Sequence, residues 1–202
     1  MNTRIASTRP AIGEAFGGGF FAGLVRIGSA TYGLIVAPKE SGEIVGEWGP
    51  RKAIDGALSF LDGSANTQAM AEAGSEIATL VRALDIDGNT DWYIPSRDEL
   101  EICYRNLKPT DDSNYCGSGD NPSAHLPGYA YTPDTPAQTS VEAFQEDNAE
   151  AFDPGWHWTS TQYAGLASGA WNQGFGNGGQ YSSGKGYKGR VRAVRRFLIT
   201  EN

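Results

Sequence analysis

Residues 155–197 constrain the fold most. They open on Gly155-Trp156-His157-Trp158-Thr159-Ser160-Thr161-Gln162-Tyr163 and close on Gly189-Arg190-Val191-Arg192-Ala193-Val194-Arg195-Arg196-Phe197. Both ends are rich in aromatic and β-branched residues and are expected to be strands. Between them, residues 164–188 mix Gly, Ser and Asn with Trp171, Phe175, Tyr181 and Tyr187. A middle so poor in apolar residues is not expected to be a packed core segment; it is slack loop or displayed surface. Its residue types are those of binding loops, where aromatics give contact area at low entropy cost and small polar residues give adaptable hydrogen bonds. The remainder of the chain must supply the scaffold.

At 202 residues the chain can bury one sizeable core, or two small ones. Its 27 glycines are roughly twice the usual share of about 7%, so turns and loops should be abundant. The net charge of −8 argues against nonspecific nucleic-acid binding. Lys185, Lys188, Arg190, Arg192, Arg195 and Arg196 gather near the end and read as strand residues pairing with an acidic body. No apolar segment approaches the ~20 residues of a membrane span. No apolar run follows the arginines of residues 1–10, so an ordinary secretory signal is not expected and synthesis in a cytoplasm is.

Residues 1–15 carry little pattern and read as a flexible arm or attachment segment. Phe20 to Ile27 and Thr31 to Ala37 are aromatic and β-branched runs separated by Gly28-Ser29, which predicts an antiparallel hairpin. Residues 38–49 read as polar turn, and residues 57–62 as a short strand or a turn. Met70, Ala73, Ile77, Leu80, Val81 and Leu84 recur at steps of three and four, which predicts one amphipathic helix with Ser64 or Asn66 as N-cap. Asp85, Asp87 and Asp91 resemble a calcium loop in spacing only: Gly88 comes too early and Ser96 stands where a bidentate Glu belongs, so an Asx turn is the better reading. Ser96-x-x-Glu99 is a capping box before an apolar run, with Asp98 and Glu99 favoured by the helix dipole. Leu100, Cys103, Tyr104 and Leu107 then form one face of a second helix that ends before Pro109. Residues 110–136 form a long Gly-, Pro- and Asn-rich insertion expected to fold over the surface. Residues 138–151 are weakly helical in pattern.

Catalytic motifs are lacking. His125 and His157 are the only histidines. His157 lies between two tryptophans in a strand-like run, pointing opposite to them, and reads as a satisfied or exposed strand residue. There is no nucleophile elbow, no Cys–His pairing and no zinc spacing. Cys103 reads as a buried thiol, with a Cys103–Cys116 disulfide left open as geometry allows. A glycosidase carboxylate pair leaves no local motif and stays as a minor alternative.

Four ordered segments carry a family resemblance: Asp91-Trp92-Tyr93-Ile94-Pro95-Ser96-Arg97-Asp98-Glu99-Leu100, Trp156-His157-Trp158-Thr159-Ser160-Thr161-Gln162-Tyr163, Ala170-Trp171 with Phe175, and Val191-Arg192-Ala193-Val194-Arg195-Arg196. Over about residues 55–199 the chain resembles the collagen-like adhesin C-terminal (Lcl-type) domain family. The resemblance implies an α+β, C-type-lectin-like fold, with two helices flanking a small twisted antiparallel sheet and irregular loops as the binding face, in a single domain over residues 16–202. The whole chain is similar to tail-associated proteins of bacteriophages and prophages that carry this domain. Residues 164–188 are similar in composition to the variable region of retroelement-diversified receptor-binding proteins. Trp171-Asn172-Gln173 departs from the Trp-Asn-Asp of calcium-dependent lectins, which speaks against a calcium-bridged sugar site. The paired cysteines of formylglycine-generating enzymes, which share the fold, have no counterpart.

The expectation is therefore a non-enzymatic, cofactor-free tail protein that binds a host surface receptor, glycan or protein, through Trp171, Asn172, Gln173, Phe175, Asn177, Gln180, Tyr181 and Tyr187. Core packing is the alternative role for Trp171 and Phe175, and Trp156, Trp158 and Arg192 read as framework. Expected partners are other tail subunits and, by analogy with tail fibres, two further copies in a homotrimer; neither nucleic acid nor membrane insertion is expected. The expected location is the virion tail. The alternative functions are a structural tail or baseplate component and, third, a glycan-acting enzyme.

Overall fold

A computed structural model of the chain describes residues 9–117 and 128–199. The start of the arm, the centre of the insertion with His125, and residues 200–202 lie outside the described residues. The fold is α+β with two sheets in place of the single sheet expected.

The N-terminal hairpin forms where the sequence places it. Strands β1 (Ala15–Phe16), β2 (Gly19–Ile27) and β3 (Ala30–Val36) are antiparallel neighbours. Ile27 faces Ala30 across the Gly28-Ser29 turn, and Gly28 takes a φ of 60° that a side chain would disfavour. Before β1, Pro10 is buried and the Gly13 N–H donates to the Phe21 carbonyl at 2.8 Å, so residues 9–14 lie against the hairpin. A one-turn helix α1 (Lys39–Gly42) leads into β4 (Glu43–Glu47). Residues 43–47 are thus a strand where a polar turn is expected, a strand with little local signature, since Ile44 and Val45 are its only strong strand formers and acids and glycine surround them.

Helices α2 (Gly63–Glu72), α3 (Glu76–Arg82) and α4 (Arg97–Leu107) follow. The single helix expected through residues 70–84 is two. Gly74 breaks it at a φ of 96°, and Ser75 caps the second piece by accepting from the Ala78 N–H. The break resets the helical phase, so Met70, Ile77 and Val81 are buried while Leu80 is exposed. Asp62, not Ser64 or Asn66, caps α2; Asn66 is buried and bonds the Ser59 backbone. Residues 138–151 are not an α-helix: one 3₁₀ turn, Glu142–Phe144, buries Phe144, and the rest is irregular. The Asx-turn reading holds, with the Gly88 N–H donating to Asp85 Oδ1 at 3.0 Å.

The last quarter supplies β5 (Trp156–Gln162), β6 (Gly169–Gly174), β7 (Gln180–Gly184), β8 (Lys188–Arg192) and β9 (Val194–Leu198). One sheet has the order β1-β2-β3-β9 and the other β4-β8-β5-β6-β7. The chain passes between sheets at two paired joints. Ala193 separates β8 from β9; its carbonyl accepts from the Ala37 N–H and its own N–H donates to the Gly42 carbonyl, both at 2.9 Å. Residues 164–188 thus supply two full strands, β6 and β7, in place of a continuous loop, and Asn172, Gln173 and Lys185 find hydrogen-bond partners inside.

Two apolar clusters fill the molecule. Trp48, Met70, Ile77, Val81, Trp92, Trp158 and Val191 lie between α2–α3 and the second sheet. Leu34, Leu100, Cys103, Leu107, Phe175 and Val194 lie around α4. Helix α4 seats closely on β2, where the Asn106 Nδ2 donates to the Ala22 carbonyl at 2.8 Å and a Cβ at Gly23 would strike Asn106 and Ile102. Cys103 is buried and Cys116 exposed, and both are free thiols, so no disulfide links them. The four arginines near the end pair with acids as the sequence suggests: Arg190 with Asp153 at 3.1 Å, Arg192 with Glu150 at 2.7 Å, Arg195 with Asp91 at 2.5 Å and Arg196 with Asp62 at 3.0 Å. Lys185 differs, being buried on the Lys52 carbonyl and Gln162 Oε1, which lowers its pKa to about 8.

One carboxylate joins these parts. The capping box at Ser96 and Glu99 is present, but Glu99 does more than cap. Its Oε2 accepts from the Ser96 N–H at 2.9 Å and from the Gly63 N–H at the start of α2 at 3.0 Å. Its Oε1 accepts from the Tyr93 hydroxyl at 2.7 Å and stands 3.5 Å from the Arg196 guanidinium on β9. The side chain is fully buried, and burial pushes its pKa up while these donors pull it back. A Cβ at Gly63 would meet Glu99 Oε2 and the Ser96 N, so only glycine admits this approach. Glu99→Ala should therefore cost about 3–5 kcal/mol, the range for removing one partner of a buried ion pair, read as a fall in unfolding free energy by urea titration. A loss below about 1 kcal/mol would show that the contact is dispensable.

Candidate ligand-binding surface

The β6–β7 ladder sorts the expected site residues onto two faces. Gln173 lies opposite Gln180, and Asn172 opposite Tyr181. Side chains alternate across a strand, so the two glutamines face α4 and Tyr181 faces away.

On the α4 side, Gln173 and Gln180 both donate through Nε2 to Glu101 Oε2, at 2.5 and 3.2 Å. Glu101 Oε1 accepts from the Tyr131 hydroxyl at 2.5 Å and from Arg105 Nε at 2.7 Å. Arg105 in turn lies 4.4 Å from the Tyr129 ring centroid and 4.8 Å from that of Tyr131. Burial raises the Glu101 pKa, with Arg105 and the hydroxyl and amide donors opposing it, and burial beside Glu101 pushes the Tyr131 phenol up as well. A carboxylate with four donors is a structural anchor. It fixes both glutamines and pulls residues 128–136 of the insertion onto the sheet.

The other half of the insertion is anchored too. The Tyr104 hydroxyl donates to Asn114 Oδ1 at 2.5 Å, and Asn114 Nδ2 donates to the Pro136 carbonyl at 2.8 Å. The Tyr115 N–H donates to the Asn177 carbonyl at 2.8 Å. This contact delivers the Tyr115 ring to the outer face, where three rings meet. Tyr181 lies edge-on to Trp156 at 5.3 Å and tilted against Tyr115 at 6.1 Å. The three stay 49%, 46% and 46% exposed respectively, unlike the buried Trp158 two residues along β5. Trp156 lies over Gly174, where a Cβ would stand 3.5 Å from the ring. Asn172 is buried on the same face and donates to Ser183 Oγ at 2.7 Å.

Of the remaining expected residues only Asn177 adjoins the rings, through its bond from the Tyr115 N–H. Asn177 is exposed in the β6–β7 turn, its Oδ1 accepting from the Gly179 N–H at 3.1 Å. Phe175 is core, stacked on Phe152 at 4.1 Å and edge-on to Tyr104 at 5.6 Å. Trp171 lies on the opposite face of β6 from Asn172 and Tyr181, against Phe60 and Tyr163. Tyr187 is exposed in the β7–β8 turn, over Gly184. Trp156, read as framework, does open the central strand β5, and it is also half exposed. Tyr115, Tyr131 and Glu101 escaped the sequence reading because only the fold brings them to the ladder.

Among the described residues, no group of three His, Cys, Asp or Glu side chains could hold a metal ion, and no helix is long and apolar enough to cross a membrane. His157 is fully buried against Phe152 and Phe175, with Nδ1 3.2 Å from the Gly155 carbonyl. Its Nε2 has no hydrogen-bond partner, so it is satisfied at one nitrogen only, and it is not exposed.

A small α+β domain that sets an exposed cluster of rings on a sheet braced from behind by a buried carboxylate is built to hold a surface for contact. Residues 47–195 match the family model of the Lcl C-terminal domain. The chain belongs to that family, whose members are adhesin-type C-terminal domains. Comparison with curated proteins gives no match. The family match leaves out β1 to β3, yet β3 pairs along β9 from Val36–Val194 to Tyr32–Leu198, so the hairpin completes the sheet on which the matched region rests.

Burial lowers the His157 pKa to about 3. A base whose folded pKa lies below its unfolded value leaves the fold at full stability above about pH 6.5 and destabilises it as pH falls toward 3, because the unfolded chain takes up the proton first. Unfolding free energy measured by urea at stepped pH from 6.5 to 4 should thus fall less steeply in His157→Gln than in the wild type. Parallel slopes would contradict the buried neutral imidazole.

Proposed function

We propose that this domain is a non-enzymatic receptor-binding module with a C-type-lectin-like fold, carried on a phage or prophage tail, and that it captures a host surface glycan on the rings of Trp156, Tyr181 and Tyr115. The observation that carries the reading is the exposed ring cluster itself. Large apolar rings left in water beside a rigid sheet mark a contact site. A ring pair at 5.3 Å presents both a face and an edge to a sugar, and Asn177 borders it with an amide that fixes orientation. Bracing by Glu101 supports affinity, since side chains already held lose little freedom on binding. Membership of an adhesin-type family supports the same reading. In this reading the protein is made in the host cytoplasm and acts on the virion, beside other tail subunits and as a homotrimer.

Trp156→Ala and Tyr181→Ala should each weaken binding to host cells and to the recognised glycan by about tenfold or more, equal to about 1.4 kcal/mol, with little change in thermal stability. Tyr187→Ala should leave binding near wild type. Full attachment by a folded Trp156→Ala/Tyr181→Ala double variant would sink the proposal.

A further inference from the structure

The face of β6 turned toward α4 carries a second cluster that the ring surface does not use. Trp171 lies edge-on to Phe60 at 6.2 Å and to Tyr163 at 5.3 Å. The Arg97 guanidinium, from the first turn of α4, stands 4.8 Å from the ring centroids of both Phe60 and Trp171. Three segments converge here. The Phe60 carbonyl accepts from the Asp98 N–H at 3.0 Å, the Ala57 carbonyl beside Leu58 accepts from the Gln162 N–H at 2.7 Å, and the Leu166 N–H donates to the Tyr163 carbonyl at 3.3 Å. Leu58, Phe60 and Leu166 are all exposed.

Arg97 is held differently from the arginines near the chain end, each of which has a carboxylate within 3.1 Å. Asp98 stands 4.0 Å from Arg97 Nη1, Arg97 Nε is buried with no hydrogen-bond partner, and a quarter of the side chain stays exposed. Two rings thus fix a guanidinium whose hydrogen-bonding capacity the fold leaves largely unused. Such a group favours a carboxylate, which accepts two parallel N–H bonds. The rim decides what carries that carboxylate. Leu58 and Leu166 are aliphatic and offer a sugar's hydroxyls nothing, whereas Trp, Tyr and Arg within an apolar rim match the composition of protein–protein hot spots.

We propose that Leu58, Phe60, Arg97, Tyr163, Leu166 and Trp171 form a docking surface for a partner protein, which inserts an apolar segment and presents an Asp or Glu carboxylate to Arg97. This surface lies on the opposite face of β6 from the ring cluster, so one domain can hold a protein neighbour and a receptor together.

A random peptide display library selected on the full chain tests this. Selected peptides should carry Asp or Glu beside aliphatic residues. Their affinity should fall about tenfold or more on Arg97→Met, fall also on Phe60→Ser, and stay unchanged on Tyr181→Ala, with thermal melts confirming that each variant folds. Selected peptides without an acid, or peptides indifferent to Arg97→Met, would overturn the proposal. Loss of glycan binding rather than peptide binding in Arg97→Met would also overturn it, by making the patch a carbohydrate subsite. The Tyr181→Ala arm separates failure here from failure of the receptor-binding reading.

Discussion

A single buried carboxylate, Glu99, holds the molecule's parts in register. It bonds the backbone at the start of α2, the backbone and a tyrosine of the segment that precedes α4, and it faces an arginine on the last strand. None of these parts is adjacent in sequence to all the others. A buried charge gives little net stability over an apolar residue, but once present it penalises every arrangement that leaves it unpaired. Glu99 thus specifies which surfaces meet: α2 against residues 93–96, and β9 beside both. The glycine at residue 63 belongs to the same device, because any side chain there would occupy the carboxylate's place.

Two residues further along α4, Glu101 performs a related task on the other side of the helix. Glu99 fastens the frame, and Glu101 fastens the β6–β7 ladder and the insertion to that frame. This explains how a stretch rich in glycine and amides can be sheet. Its polar side chains do not need an apolar environment, since Gln173 and Gln180 share a carboxylate. Its glycines let rings press on the backbone, Trp156 over Gly174 and Tyr104 with Tyr131 over Gly178. With the inner face fixed, the outer face is left to display Trp156, Tyr181 and Tyr115.

Local features of the fold were legible in the sequence. The capping box, the Gly28-Ser29 hairpin, the Asx turn at Asp85 and the strands at each end of the last quarter each depend on a few adjacent residues, and each forms. The split between α2 and α3 was written at Gly74-Ser75, but the apolar spacing ran across it and hid the change of phase. The site was half legible. Tyr181, Gln180 and Asn177 stand out by composition, whereas Tyr115 and Tyr131 reach the ladder only through the insertion's contacts with Asn177 and Glu101. Phe175 shows the limit of composition most clearly: an aromatic amid glycines, it packs inward because β6 ends against Phe152.

Native-state hydrogen exchange is the most direct test of the claim that a polar, glycine-rich segment is scaffold held by two buried carboxylates. The amides of Asn172, Gln173, Tyr181 and Ser183, together with Gly63 and Ser96, should exchange only through opening close to global unfolding, as the centre of α4 does. Fast exchange of the β6–β7 amides while α4 stays protected would mean that the segment is a mobile loop after all, and would contradict the scaffold on which the proposed binding surface rests.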